Sequence, residues 1–317
     1  MINASLDLPS TQGPDLDLLV CPTCHGDLAL TGNQLRCGSC GRCYEVTDGI
    51  ANLQVARGFD DEDHLERWNC EECTGAHMIE HYMAPLLESL FPGADRAALQ
   101  LLSIGCGVGV DVEMLNALDY RCHGFDVGNR VKSWAHRSNP RAYTRAAVQC
   151  MPFRDGQFDF AFLNCVLPHV GVVGDSQTVA NDYAEERARA IVETIRVVRP
   201  GGYILLSNPN RLCPVDLFHR RNEHSHVPRF HWPSEPFLQS FEDHRRAFVV
   251  EGGCRQAETL PPANFWVFSE SSKSSRYLVG KILQASVRGY FSLLSAHILA
   301  PLRRGALNPW LIVLVTR

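Results

Sequence analysis

The stretch Leu99-Gln-Leu-Leu-Ser-Ile-Gly-Cys-Gly-Val-Gly109 decides the fold. A mainly apolar run stops at three glycines in alternate positions, and helical spacing follows over residues 110–118. A buried strand, a tight glycine turn and a helix are typical of the first unit of a nucleotide-binding α/β sheet. Asp126 ends the next apolar run, where a carboxylate is expected to accept hydrogen bonds from ribose hydroxyls. The pattern predicts a nucleoside-containing ligand held by Gly105, Gly107, Gly109 and Asp126.

The glycine spacing narrows the choice of nucleotide. A dinucleotide fingerprint places its third small residue at Val110, whereas here the third glycine comes one position earlier, and no Gly-Lys-Ser/Thr phosphate loop follows. Gly-x-Gly-x-Gly resembles the first motif of class I S-adenosylmethionine (SAM) methyltransferases. That resemblance implies a Rossmann-like, seven-stranded α/β sheet that binds SAM, with Cys106 and Val127 beside the glycines and Asp126.

Three later segments resemble the type 11 methyltransferase family over residues 97–210. They are Met151-Pro-Phe-Arg-Asp-Gly-Gln-Phe-Asp159, Val166-Leu-Pro-His169 and Arg196-Val-Val-Arg-Pro-Gly-Gly202. Two positions depart from the family: Ser103 stands where an acidic residue is usual, and Ala147 where an Asp often contacts the adenine amino group. Val148 and Gln149 are therefore the residues expected at the adenine ring.

Candidate catalytic residues follow from this placement. Asn164 ends the predicted fourth strand and is expected to contact the ligand. The unperturbed pKa of histidine suits a general base, which is one role considered for His169, but packing or support of the cofactor loop is the preferred explanation for this residue. Tyr82 lies on a helix predicted over residues 76–91, which the resemblance places over the cofactor; packing in the core or at the surface is its alternative.

Two Cys-x-x-Cys pairs near the N-terminus predict a zinc site. Twelve residues separate the pairs, a spacing that suits four thiolates around one tetrahedral ion, namely Cys21, Cys24, Cys37 and Cys40. Cys43 is a spare thiol nearby. The segment over residues 18–53 resembles the zinc-ribbon proteins that activate certain tRNA and protein methyltransferases, and such a ribbon is expected to be structural.

Composition limits the partners. The 317 residues are 45% apolar with a net charge of −5, so a nucleic-acid partner is unlikely. The polar N-terminus predicts no secretory leader. Without a leader, the 13 cysteines indicate reduced thiols and metal sites rather than disulfides. Charged residues interrupt the apolar stretch 277–298, so it is too polar for a membrane-spanning helix. We therefore expect a cytoplasmic protein with no membrane partner.

The predicted organisation has five parts: a disordered tail (1–18), a zinc ribbon (19–56), a helical linker covering the cofactor (57–96), the SAM-binding domain (97–210) and a lid with the final strands (211–317). The lid begins with a histidine-rich segment that is read as a polar lid, a substrate pocket or a second metal site; its histidines are His219, His224, His226 and His231. The insertion at 262–305 would shape an acceptor pocket or the surface of a homodimer.

The combined prediction is a SAM-dependent methyltransferase acting on a small metabolite, such as one in specialised biosynthesis. One alternative is an enzyme of the same fold that directs a nucleophile to the γ-carbon of SAM and releases methylthioadenosine. An external acceptor would give aminocarboxypropyl transfer, and the amino group of SAM itself would give azetidine-2-carboxylate. An rRNA base methyltransferase and a non-catalytic SAM-fold partner protein are the other two alternatives.

Overall fold

The computed structural model describes residues 14–55, 65–174, 176–220, 228–267 and 278–317. Within these ranges the strands are β1 (Leu28–Thr31), β2 (Gln34–Cys37), β3 (Cys43–Thr47), β4 (Ile50–Asn52), β5 (Gln100–Ile104), β6 (Arg121–Asp126), β7 (Tyr143–Arg145), β8 (Phe158–Asn164), β9 (Val198–Pro209), β10 (Val215–Arg220), β11 (Pro228–Phe230), β12 (Gln256–Thr259) and β13 (Trp310–Thr316). The α-helices are α1 (Leu65–Met78), α2 (Ala84–Leu90), α3 (Val110–Ala117), α4 (Tyr183–Val197), α5 (Phe241–His244) and α6 (Leu278–Ser295). Shorter π-helical turns span Ile79–Met83 and Arg245–Glu251, and 3₁₀ turns include Asn129–His136, Leu167–His169 and His297–Arg304.

One sheet runs through the molecule in the order β1-β2-β3-β4-β7-β6-β5-β8-β9-β13-β12. Neighbours from β4 to β9 are parallel, while β13 lies antiparallel to both β9 and β12. The chain moves outward from β5 to β7 and then returns to place β8 on the other side of β5. Ligands of such sheets bind where the strand order reverses. The seven strands from β7 to β12 confirm the predicted Rossmann-like α/β sheet.

Both faces of this sheet are buried. Along β13, Trp310, Ile312 and Leu314 belong to one apolar cluster, whereas Leu311, Val313 and Val315 belong to a second. Because successive side chains of a strand point to opposite faces, the two clusters lie on the two sides of the sheet. Strands covered on both sides have nearly continuous apolar sequences, which is the pattern of the parallel strands β5 and β8 and of the antiparallel strand β13.

The zinc ribbon continues this sheet. β4 pairs with β7 in parallel, with Ala51 opposite Thr144. The backbone N–H of Val20 donates to the Pro152 carbonyl at 2.9 Å. Ribbon residues including Leu35 share the buried cluster of Phe153 in the SAM-binding domain. The described part of the predicted ribbon (19–56), residues 19–55, therefore packs on the core of the SAM-binding domain.

The helix predicted over 76–91 begins earlier and is interrupted. α1 already starts at Leu65, and the π-helical turn separates it from α2. In this turn the Ala84 N–H donates to the carbonyl of Ile79, five residues back. Pro85 follows immediately and has no N–H to continue the ordinary helical pattern, which accounts for a break at this point.

Several other boundaries differ from the prediction. The disordered tail is wrong for residues 14–18, because Leu16 packs on the core and Leu18 is buried; residues 1–13 lie outside the described ranges. β7 covers only Tyr143–Arg145, the segment Asn129–His136 forms a 3₁₀ turn, and α5 begins at Phe241. Part of the linker (57–64) and two lid histidines, His224 and His226, are also outside the described residues.

In the described ranges, no helix is both long and apolar enough to span a membrane.

Candidate functional site

The glycine loop joins β5 to α3. The N–H groups of Gly105 and Cys106 both donate to the Phe125 carbonyl, at 2.9 and 3.0 Å, which ties the loop to β6. Gly107 and Gly109 have φ values of +53° and +82°, a region that side chains other than glycine rarely adopt. A Cβ at Gly109 would lie 2.5 Å from the Tyr143 ring. The sequence therefore needs glycine here for both conformation and space.

Asp126 holds the loop from the end of β6. One carboxylate oxygen, Oδ2, accepts from the Gly107 N–H at 2.8 Å. The other, Oδ1, accepts from the N–H groups of Val127 at 2.6 Å and Gly128 at 3.0 Å. Three backbone donors thus fix the orientation of the carboxylate before any ligand is bound. Each oxygen of an ionised carboxylate can accept two hydrogen bonds, so Oδ2 keeps one lone pair for a ligand hydroxyl, whereas Oδ1 already accepts two.

Asp111 supplies a carboxylate where Ser103 lacks one. Asp111 lies in the first turn of α3 and is 8% exposed, and the Ser103 hydroxyl donates to its Oδ2. Burial raises the pKa of Asp111 to about 6, although the hydrogen bonds from Ser103 and from the Val112 N–H act in the opposite direction. Sequence reasoning missed this residue. The sequence did contain a signal for it: the acidic residue that is typical of the family at position 103 is replaced by Ser103, and a carboxylate, Asp111, follows eight residues later.

These elements border one cavity of about 720 Å³ at the point where the strand order reverses. Asn164 lies at the end of β8, where its Oδ1 accepts from the Ser207 hydroxyl at 2.7 Å. The cavity brings together most of the predicted site, namely Gly105, Cys106, Gly107, Asp126, Val127, Val148, Gln149, Asn164 and His169. Lining residues that the sequence had not singled out include Glu71, Asp111, Arg130 and Cys165.

Two predicted site residues lie elsewhere. Gly109 faces the ring of Tyr143, whose hydroxyl donates to the Gly109 carbonyl at 2.8 Å. The absence of a side chain at Gly109 therefore lets α3 pack on β7. Tyr82 donates its hydroxyl to the Pro261 carbonyl at 2.9 Å, and its ring packs edge-on against Phe265. The structure thus places Tyr82 in packing contacts, away from the residues that line the cavity, because the helix turns this face toward residues 261–265.

The charge around the cavity is mainly negative. Among the described lining residues, five carboxylates accompany one arginine, Arg130; they are Glu71, Asp111, Asp126, Asp182 and Glu186. Nε of Arg130 forms an ion pair with Oε1 of Glu71 at 2.7 Å, beside the glycine loop. An excess of carboxylates favours a cationic ligand and disfavours a polyanion.

A second cluster of polar side chains lies at the wall of the cavity and consists of Cys165, His169, His219 and Asp216. Cys165, with φ +58°, directs its Sγ to 3.7 Å from Nε2 of His219, and Nε2 of His169 is 3.3 Å from the same atom. His219 comes from β10 in the lid, and its Nδ1 lies 2.8 Å from the fully buried carboxylate of Asp216. Burial raises the pKa of Asp216, but the hydrogen bond and charge of His219 outweigh this and lower it to about 2.

The predicted metal ligands of the ribbon converge. The four sulfurs of Cys21, Cys24, Cys37 and Cys40 lie within 4.8 Å of one another. Two of the separations are 3.7 Å, between Cys21 and Cys40, and 3.5 Å, between Cys24 and Cys37. Tetrahedral zinc with Zn–S bonds of about 2.3 Å places sulfurs about 3.8 Å apart. The four cysteines therefore fit a structural zinc ion.

Comparison with known proteins agrees with both parts of the chain. Residues 102–206 match the family model described as a methyltransferase domain, and residues 16–49 match that of Trm112p-like proteins. A probable S-adenosylmethionine-dependent methyltransferase of Mycolicibacterium smegmatis is 29% identical over 132 residues. This match covers 39% of the present chain and 46% of the relative, so the chain spans about half of that protein.

Solved structures with a similar arrangement include a Haloferax volcanii complex of the Trm112 methyltransferase activator with a putative methyltransferase. It shows 13% identity, covers 78% of this chain and 95% of that chain, and has a TM-score of 0.44. A SAM-dependent methyltransferase from Mesorhizobium loti shows 14% identity, 74% and 96% coverage, and a TM-score of 0.43. The family matches establish that the chain contains a methyltransferase domain preceded by a Trm112-like segment.

Proposed function

We propose that this chain, which joins a Trm112-like segment to a methyltransferase domain, transfers the methyl group of SAM to a small-molecule acceptor. The observation that carries the proposal is the convergence of the glycine loop, Asp126 and Asp111 on one cavity of about 720 Å³. This volume lies within the range of about 300–1,000 Å³ that is usual for small-molecule sites.

The charge of the cavity supports SAM as the ligand. SAM carries a sulfonium and an ammonium cation beside one carboxylate. The acidic lining, with Asp111 and Asp126 held in place by hydrogen bonds from the protein, is complementary to the cationic groups. The N-terminus of α3 opens onto the same loop and favours the single carboxylate of the ligand.

Each residue then has a defined task. When bound, SAM supplies a methyl group activated by the positive sulfur. Asp126 accepts hydrogen bonds from the ribose hydroxyls, Asp111 pairs with the ammonium group, and Val148 with Gln149 borders the adenine. Asn164, fixed by Ser207, orients the acceptor. Such positioning supplies most of the catalysis, since alignment and exclusion of water are the main requirements of a direct displacement.

The same charges favour a metabolite over RNA as the acceptor. A polyanion would have to approach a cavity whose lining contains five carboxylates and would require a basic surface to offset the repulsion. We place the acceptor among small molecules, for example those of specialised biosynthesis, and the protein in the cytoplasm. A homodimer through the C-terminal insertion remains a prediction.

Calorimetry with SAM tests the cofactor assignment. Asp126→Asn should weaken SAM binding about 10- to 150-fold, because hydrogen bonds to a charged group are worth about 1.5–3 kcal/mol. Asp48→Asn, at an exposed turn of the ribbon, is the matched control and should leave the affinity unchanged. Equal affinities for the wild type and Asp126→Asn would contradict the assignment, and failure of the wild type to bind SAM would favour a non-catalytic partner protein.

Mass spectrometry of the protein incubated with SAM alone tests the reaction class. We expect SAM to persist until an acceptor is added, and S-adenosylhomocysteine to appear with it. Accumulation of methylthioadenosine without an acceptor would instead establish attack at the γ-carbon. Salt-sensitive binding to RNA would point to the rRNA alternative.

A further inference from the structure

We propose that Cys165, His169 and His219 bind a zinc ion at the wall of the cofactor cavity, separate from the zinc site of the ribbon. The ligand atoms of these three residues, one sulfur and two nitrogens, lie within 4.8 Å of one another. Cys165 and His169 also line the cavity, so an ion held by them adjoins the proposed reaction site.

The separations fit tetrahedral coordination. With Zn–S of about 2.3 Å and Zn–N of about 2.05 Å, neighbouring ligands should lie about 3.6 Å apart for S···N and about 3.3 Å apart for N···N. The observed separations from Nε2 of His219 are 3.7 Å to the Cys165 sulfur and 3.3 Å to Nε2 of His169. Two of the three separations therefore match those of ligands on one zinc ion, and the third, between the Cys165 sulfur and the His169 nitrogen, lies within 4.8 Å.

The surroundings orient the ligands. Nδ1 of His219 donates to Oδ2 of Asp216, which leaves the Nε2 lone pair directed toward the cluster. The N–H groups of Phe218 and His219 donate to the other oxygen of Asp216, at 2.9 and 3.0 Å, and Arg229 reaches Oδ2 at 3.2 Å. A carboxylate behind a metal-binding histidine is a common device for fixing its tautomer and raising its basicity.

An apolar ring shields the cluster. Phe237 packs edge-on against both imidazoles, with centroid distances of 5.4 Å to His169 and 5.0 Å to His219. Backbone geometry contributes as well, because the left-handed conformation of Cys165 and the 3₁₀ turn that ends at His169 bring two ligands four residues apart to one side of the loop.

Three protein ligands leave one coordination position for another molecule, which is typical of reactive rather than structural zinc sites. One thiolate with two imidazoles suits zinc among the common divalent metals. On the proposed function, on which this role rests, the open position takes an oxygen or sulfur of the acceptor. The X–H bond of the acceptor breaks, the proton passes to water, and the X anion remains bound to zinc. This role replaces the general base considered for His169.

Metal counting tests the site independently of activity. Elemental analysis of the purified full chain should give two zinc ions per molecule, one in the ribbon and one here, and His219→Ala should give one. The control is His297→Ala, at an exposed histidine of the C-terminal 3₁₀ turn, which should retain both ions. One ion in the wild type, or two in His219→Ala, would overturn the proposal and identify the close histidines as an N–H···N hydrogen bond.

A second measurement does not depend on the folding of that variant. Zinc-depleted wild type titrated with Co²⁺ should bind two equivalents, and Asp216→Asn should weaken one of them about 10- to 100-fold while leaving the other unchanged. Saturation at one equivalent would overturn the site. Calorimetry with SAM separates the two proposals: two metals without SAM binding would refute only the methyltransferase function, and one metal with normal SAM binding would refute only the zinc site.

Discussion

Replacing Asp111 with asparagine should change how the stability of the protein depends on pH. The carboxyl group lies in the first turn of α3, is 8% exposed and accepts the hydroxyl of Ser103. The carboxamide introduced by Asp111→Asn would keep its oxygen toward the Val112 N–H and its NH2 group toward the Ser103 oxygen, which can accept a hydrogen bond, and it would fill nearly the same volume. The substitution therefore removes the ionisation while disturbing the packing little.

The magnitude follows from the pKa. Burial raises the pKa of Asp111 from 3.8 to about 6 in the folded protein, a difference of about 2 units, which corresponds to about 3 kcal/mol. The folded state binds this proton more tightly than the unfolded state. The stabilisation that the protonated carboxyl provides is complete below about pH 4 and is lost as the pH rises through 6.

Urea unfolding of both proteins at pH 4, 5, 6 and 7 measures the effect. The unfolding free energy of Asp111→Asn minus that of the wild type should increase by about 2.4 kcal/mol between pH 4 and pH 7, because the variant has no charge to bury. Asp48→Asn, at an exposed position, should show no comparable increase. Parallel curves for Asp111→Asn and the wild type would refute the raised pKa and the burial argument behind it.

Three further substitutions test other parts of the structure. Gly107→Arg, at a φ of +53°, should abolish SAM binding in calorimetry while circular dichroism remains native; unchanged affinity would contradict the loop assignment. Cys21→Ser should release the ribbon zinc and lower the unfolding free energy by several kcal/mol, since its buried side chain belongs to the main core; a metal-free wild type of equal stability would refute this. Tyr143→Phe leaves the Gly109 carbonyl without its 2.8 Å partner and should cost about 1–3 kcal/mol in urea unfolding, whereas no change would show that water replaces the hydroxyl.

The sequence alone predicted the features that depend on local spacing. The glycine turn, the end of β8 at Asn164 and the four ribbon cysteines all lie where predicted. Each of these predictions depends on a short pattern: an apolar run of strand length, a turn that favours glycine, or a pair of cysteines with two residues between them. The α/β fold class followed from these because strands that alternate with helices favour a parallel sheet.

Tertiary structure decided the features that join distant parts of the chain. The sequence indicates that Ser103 replaces an acidic side chain, but in the folded protein the carboxylate of Asp111 lies within hydrogen-bond distance of Ser103. His219 belonged to an ambiguous lid, and only the path of β10 brings it within 3.7 Å of Cys165, 54 residues earlier. The pairing of β4 with β7 is of the same kind, since no local pattern encodes which sheet edge a strand will meet. Local sequence fixes backbone conformation through steric preference, whereas such contacts depend on how all the elements pack together.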